Sequence, residues 1–249
     1  MRTVVFLGPS LPADEARAVV SEHVSWRPPA SRGDVYRAVK GGATTIVLID
    51  GFFRNVPSVG HKEVLWGLSE GVTIIGASSI GALRAAEMDA FGMIGIGEIY
   101  RQFAGGILTR DDEVALLHAP AQMGYKPLTE ALVNIRASAA RAVQNGRASP
   151  TFVQRLVDAA ASLDFDMRTW EQIYGLLEFP KESASDDVHA FHWIRDDRYN
   201  QKKRDALEAL AWLNEMSGVG TRSTFTFNDT WFFSQFRRAE DNPLIRNLF

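Results

Sequence analysis

The sequence predicts an α/β protein with an open, mainly parallel sheet and flanking helices, followed by a mostly helical C-terminal region. Short β-branched runs at Thr3 to Leu7, Thr44 to Asp50 and Val72 to Ile75 alternate with helical stretches up to about Asp89. Each run closes on small or acidic residues: Gly8-Pro9-Ser10, Asp50-Gly51 and Gly76 to Gly81. Beyond Thr129 the pattern turns helical.

In chain order, Thr3 to Leu7 reads as the first strand, and Ala13 to Glu22 as a helix with acids near its start, where the helix dipole favours them. Val24 to Trp26 is a short strand before Pro28-Pro29. Asp34 to Lys40 is a helix stopped by Gly41-Gly42. Thr44 to Asp50 is a central strand with an acid at its tip, and Val59 to Glu70 is the helix that follows. Phe91 to Gly97 reads as a tight connection with closely packed backbone, and Glu98 to Ala104 as a helix. Asp111-Asp112-Glu113 reads as a solvated helix start, with a site contribution as the alternative. Thr129 to Gln144, Thr151 to Leu163, Met167 to Leu177 and Tyr199 to Met216 are amphipathic helices, punctuated by Asn145-Gly146, Ser149-Pro150, Phe179-Pro180 and the polar Lys181 to Asp187. The closing segment Thr224 to Phe236 is aromatic-rich, and reads either as packing onto the sheet or as a partner surface.

The bulk numbers narrow the function. A chain of 249 residues with 46% hydrophobic and 23% charged residues has ample material for a core. A net charge of −3 and a pI near 6.0 give no electrostatic case for nucleic acid or an anionic membrane. The absence of cysteine excludes disulfides, thiolate catalysis and cysteine-based metal centres. No apolar stretch reaches a membrane span, and the N-terminal apolar run is too short for a signal peptide, so a cytoplasmic location is the expectation. His189 and His192 have metal-compatible helical spacing, but no carboxylates join them and their surroundings do not read as core, so no metal is expected.

The chemistry concentrates at Gly71 to Asp89. A buried strand turns at once into a helix, with Ser78 and Ser79 at the turn. Such a turn pushes a hydroxyl out at the carboxyl edge of the sheet, beside the partial positive charge of the first helical N–H groups. Ala77 to Gly81 reads A-x-S-x-G, one residue from the G-x-S-x-G nucleophile elbow. The plainer alternative is that one serine caps the helix. Ser10 and Asp50 also follow strands and belong at the same edge. His61 and Lys62 open the preceding helix, and its first turn can approach the serine. Lys62 is a base if its amine is neutral there, and a solvated lysine otherwise. The Ile80 N–H is placed as an oxyanion donor, and Arg84 as a cation for lysine tuning or for a substrate carboxylate. Phosphate or nucleotide binding through Gly8-Pro9-Ser10 and the helix after Ser79 is a third reading, without a Walker or dinucleotide fingerprint.

These residues resemble a family. Val5 to Leu11, Pro28-Pro29-Ala30, Gly33-Asp34 and Leu48 to Phe53 match TfuA proteins in order and spacing. So do His61 to Leu65, Gly76 to Glu87, Phe91-Gly92-Met93 with Gly95 and Gly97, Asp111 to Ala115, Gly124-Tyr125 and Val133 to Arg136. The resemblance covers about residues 3 to 140, which suggests a core over 1–140 and a helical region over 141–249, packed on the core or forming a partner surface. Ile80 stands where methionine is expected and Val64 where isoleucine is usual, both volume-conserving departures.

The resemblance implies a partner of YcaO enzymes in peptide backbone thioamidation. A TfuA protein hydrolyses a thiocarboxylated ThiS-type sulfur carrier, releases bisulfide for YcaO, and helps YcaO hold its peptide. It does so through a Ser-Lys pair, which the resemblance assigns here to Ser79 and Lys62, without a cofactor. Ile80, Arg84, Ser78, Gly81, His61, Asp50 and Ser10 are the expected oxyanion or substrate-binding groups, with Ser78 and Gly81 flanking a narrow approach for the carrier's Gly-Gly tail. The alternative is a non-catalytic adaptor that binds YcaO, carrier and peptide.

Overall fold

The computed structural model describes residues 2–20, 23–54, 56–179, 186–215 and 225–242. The expected helix ends at Glu22 and Met216, Pro180, the polar run from Lys181 to Ser185, and Thr224 lie outside them.

The strands are β1 (Thr3–Phe6), β2 (Val24–Arg27), β3 (Thr45–Leu48), β4 (Thr73–Ala77) and β5 (Ile94–Ile96). They form one sheet in the order β2-β1-β3-β4-β5, with every neighbouring pair parallel. Between them run α1 (Ala13–Val19), α2 (Asp34–Lys40), α3 (His61–Ser69) and α4 (Ile80–Met88). After β5 come α5 (Glu98–Ala104), α6 (Leu132–Gln144), α7 (Pro150–Ser162), α8 (Trp170–Leu176), α9 (Asp186–Asp196), α10 (Gln201–Glu215) and α11 (Trp231–Asp241).

Alternation along the strands divides two cores. Val4, Phe6, Ile46, Leu48 and Ile74 face one side, where Val35 of α2 and Val64 and Leu68 of α3 cover them. Val5, Val47, Ile49, Ile75 and Ala77 face the other, where Ala16 of α1 and Ala206, Ala209, Leu210 and Leu213 of α10 cover them. A parallel sheet must bury both faces. Here α10, far along the chain, supplies most of the second cover, so the helical region completes the sheet's own core. Helices α6 to α9 share a further core, and α6 runs through residue 140. Ala190, Phe191 and Ile194 belong to it, so the stretch around His189 and His192, expected outside a core, contributes to one.

Phe91 to Gly97 is more than the expected connection, because Ile94–Ile96 is the fifth strand. It is short, glycine-centred and paired on one side only, so its sequence carries little strand signal. The close backbone packing is present: a Cβ on Gly95 would lie 2.2 Å from the Tyr100 ring. The aromatic segment near the C-terminus divides. Phe233 of α11 is buried against Tyr36 and Trp66, whereas Trp231 and Phe232 are 68% and 80% exposed.

Candidate active site

The turn between β4 and α4 is held by glycines. A Cβ on Gly76 would lie 2.1 Å from the Gly81 carbonyl oxygen, and one on Gly81 would lie 1.7 Å from the Leu48 carbonyl oxygen. The helix therefore starts directly on the strand backbones. Ser78 takes the left-handed conformation this requires, with φ of 67°. It is fully buried, and its Oγ has no hydrogen-bond partner among the described residues. Ser79 is the N-cap residue of α4, yet its side chain makes no capping bond. The capping alternative therefore fails for Ser79, whose hydroxyl is left for other work. The Ile80 N–H, first in the helix, has no hydrogen-bond partner among the described residues, whereas the Gly81 N–H donates to Ile49 O at 3.3 Å.

Ser79 opens onto a cavity of about 270 Å³ beyond the carboxyl ends of the strands, where Asp50, Ile80, His118 and Lys202 also contribute to the wall. Phe52, Phe53 and Phe165 give it an aromatic lining.

The candidates read from the sequence separate in space. Asp50 reaches the cavity, but its carboxylate is engaged: Oδ2 accepts from the Gly8 and Ser10 N–H groups at 2.8 and 3.1 Å, and Oδ1 accepts from the Ser10 hydroxyl at 2.6 Å. Asp50 and Ser10 thus pin the β1 and β3 loop ends together. The Gly8 and Ser10 N–H groups are therefore already engaged by Asp50 and are not free for a phosphate. Ser78 and Gly81 do not line the cavity, because Ser78 is enclosed and Gly81 abuts the β3 backbone. The expected narrow approach past them is thus closed by protein.

His61, Lys62 and Arg84 also lie off this cavity. The Lys62 amine donates to Asn228 O at 2.8 Å and sits 5.1 Å from the Phe227 ring centre, beside a second cavity that includes His61 and Phe232. His61 Nε2 is 2.8 Å from Glu87. Arg84 donates through Nε to Val59 O at 2.9 Å and pairs with Glu87 at 2.6 Å, so its charge already has a counter-ion. It lines an adjoining cavity that shares Phe53, Ile80 and Asp111 with the first.

The acidic run is not a solvated helix start. Glu113 is buried and takes two bonds from Arg136, at 3.0 and 2.9 Å. Asp112 binds Arg110 and the fully buried Arg168. Burial acts to raise the Asp112 carboxyl, but the bonds from Arg110 and Arg168 outweigh it and hold the group below its ordinary value.

Two cavity residues escaped the sequence reading. Lys202 sits in α10, where KKR at a helix start reads as solvated surface, yet it is 1% exposed. Its amine donates to Val114 O at 2.7 Å. Burial lowers its pKa, against a smaller pull upward from Asp50 and Glu130. His118 lies between the rings of Phe52 and Tyr125. Its Nδ1 is 2.9 Å from Ala119 O, and a carbonyl only accepts, so Nδ1 carries a proton there. Neither residue belongs to a local motif, and the loop over residues 111–118 and helix α10 meet only in the folded chain.

These features define an open parallel α/β protein with a serine at a strand-to-helix turn, facing a cavity at the carboxyl edge. The family model for TfuA-like protein matches residues 50–169, a stretch that holds Asp50, Lys62, Ser79 and His118. Residues 50–169 are thus TfuA-like. No curated protein matches it. Among the described residues, no helix is long and apolar enough to cross a membrane, and no group of three or more His, Cys, Asp or Glu is placed to hold a metal.

Proposed function

We propose that this protein is a sulfur-delivery hydrolase that cleaves a thiocarboxylated ThiS-type carrier and releases bisulfide for YcaO-dependent peptide backbone thioamidation. The TfuA-like match over residues 50–169 supports association with thioamidation systems, and the hydrolase reading rests on the Ser79 cavity. One observation carries it: Ser79 opens onto the cavity with an uncommitted hydroxyl beside the uncommitted Ile80 N–H.

In this reading Ser79 attacks the thiocarboxylate carbon, and the Ile80 N–H stabilises the oxyanion that forms there. A lysine removes the serine proton and returns one to sulfur, which leaves as HS⁻. Water then cleaves the seryl ester. The aromatic walls at Phe52, Phe53 and Phe165 exclude bulk water and strengthen these interactions. The Ser-Lys pair needs an amine at this cavity, and Lys62 is engaged elsewhere.

The test is bisulfide release from a thiocarboxylated ThiS-type carrier. Release by the wild type that disappears in Ser79→Ala supports the hydrolase. Thioamidation by YcaO that proceeds unchanged with Ser79→Ala refutes it. A second reading, a non-catalytic adaptor for YcaO, carrier and peptide, draws on the exposed Trp231 and Phe232. It gains if Trp231→Ala with Phe232→Ala abolishes thioamidation while Ser79→Ala does not.

A further inference from the structure

We infer that Lys202, and not Lys62, is the amine that takes the proton from Ser79. The inference rests on the serine-hydrolase reading and names the base within it. Both residues line one cavity, although they come from opposite ends of the fold: Ser79 from the β4–α4 turn and Lys202 from α10. The family match ends at residue 169, so nothing in the matched stretch supplies this lysine.

The environment of Lys202 is unusual for a structural lysine. Its side chain is buried, and among the described residues no carboxylate lies within ion-pair distance of its amine. The carboxylates that act on its charge are Asp50, from the loop after β3, and Glu130, before α6. Asp50 is already saturated by Gly8 and Ser10. Glu130 takes a bond from Asn134 and lies 3.7 Å from Arg198. His118, Asp111, Asp166 and Arg54 are the other titratable or charged groups on the cavity wall. A buried cation without a counter-ion is disfavoured, so burial favours the neutral amine, whose lone pair can accept a proton. One N–H is tied to Val114 O, itself part of a cavity-lining residue, which fixes the amine at the wall. Lys62, by contrast, is partly exposed, lies off this cavity, and directs its amine to Asn228 O and the Phe227 ring.

The proton and electron count closes. The Lys202 lone pair takes the Ser79 proton as Oγ bonds to the thiocarboxylate carbon, and the carbonyl π pair moves to oxygen. The carbonyl re-forms as the C–S bond breaks, and the ammonium returns the proton to sulfur. The products are the seryl ester, HS⁻ and neutral Lys202.

The experiment uses the full chain and two readouts: phosphonylation of Ser79 by a fluorophosphonate, followed by mass spectrometry, and bisulfide release from the carrier. Lys202→Met is expected to slow both by about 100-fold or more, with KM for the carrier changed only a few-fold. In Lys202→Ala, propylamine is expected to restore part of the labelling rate, which a purely structural lysine would not allow. Lys62→Ala is expected to label like the wild type. The inference is overturned if Lys202→Met melts near the wild type and labels at the wild-type rate, or if Lys62→Ala is the variant that amines rescue. If Lys202→Ala does not fold, Lys202→Met decides, because its linear side chain keeps the buried volume. Serine labelling without bisulfide release by the wild type sinks the sulfur-carrier function, and the labelling rates still judge the lysine.

Discussion

Arg168, wholly buried, donates to the Asp112 carboxylate at 2.7 Å and to the carbonyls of Ala160, Asp112 and Leu163. That one guanidinium ties the loop roofing the Ser79 cavity to the end of α7. Replacing it by methionine leaves Asp112 with Arg110 alone and takes the side-chain donor from three carbonyls, of which Ala160 O and Asp112 O keep the Leu163 and Ala115 N–H groups. Arg168→Met is expected to lose about 3 kcal/mol of stability, read as a lower urea midpoint. An unchanged midpoint would show that the tie is dispensable.

Asp50 accepts three hydrogen bonds from the β1 loop. Asp50→Ala strands two backbone N–H groups and a hydroxyl, for an expected loss of about 2–4 kcal/mol. Asp50→Asn is expected to lose less, since its carbonyl can still accept from both N–H groups and its amide can donate to Ser10 Oγ. Equal losses in denaturant titrations would contradict this account of the staple.

Ser78 and Ser79 should respond in opposite ways. Ser78 holds a left-handed backbone and a buried hydroxyl without a partner. Ser78→Ala is expected to hold or raise stability by about 1 kcal/mol, and Ser78→Gly to relieve about 1–2 kcal/mol of backbone strain. Ser79→Ala is expected to leave the melting temperature in place and to abolish fluorophosphonate labelling. A label on Ser78 in a peptide map would reverse the assignment.

Gly81 has no room for a side chain. Gly81→Ala forces a methyl group into the Leu48 carbonyl, and backbone on both sides has nowhere to move. A loss of about 3 kcal/mol or more is expected, seen as insoluble or unfolded protein. Soluble Gly81→Ala with wild-type melting would show that α4 can lift from β3.

Glu63 links the starts of α2 and α3, accepting from the Gly33, Tyr36 and Gly60 N–H groups. Burial pushes its carboxyl up to about 7 from 4.5, against the downward pull of those donors. The folded value lies above the unfolded one, so the stability it contributes is full below about pH 4.5 and is lost as pH rises through about 7. At about 1.36 kcal/mol per unit, the loss across that window is on the order of 3 kcal/mol. Urea midpoints measured from pH 4.5 to 8 should fall for the wild type and stay flatter for Glu63→Gln.

The sequence by itself determined the parallel α/β class, four of the five strands, and the serine turn, because these features are local. Hydrophobic runs, glycine stops and the small residues of Gly76 to Gly81 act over a few neighbours, and their spacing can be read directly. β5 was hidden because a short edge strand needs few contacts and so shows little pattern. The company Ser79 keeps was decided only by the tertiary structure. Lys62 is nearer in sequence, yet its helix start turns toward Phe227 and Asn228. Lys202 is remote, yet α10 must bury Ala206, Ala209 and Leu210 on the open face of the sheet. That burial carries the first turn of α10 to the carboxyl edge and encloses a lysine whose neighbouring residues read as surface. A side chain's burial depends on what packs over it, and that is a property of the whole fold.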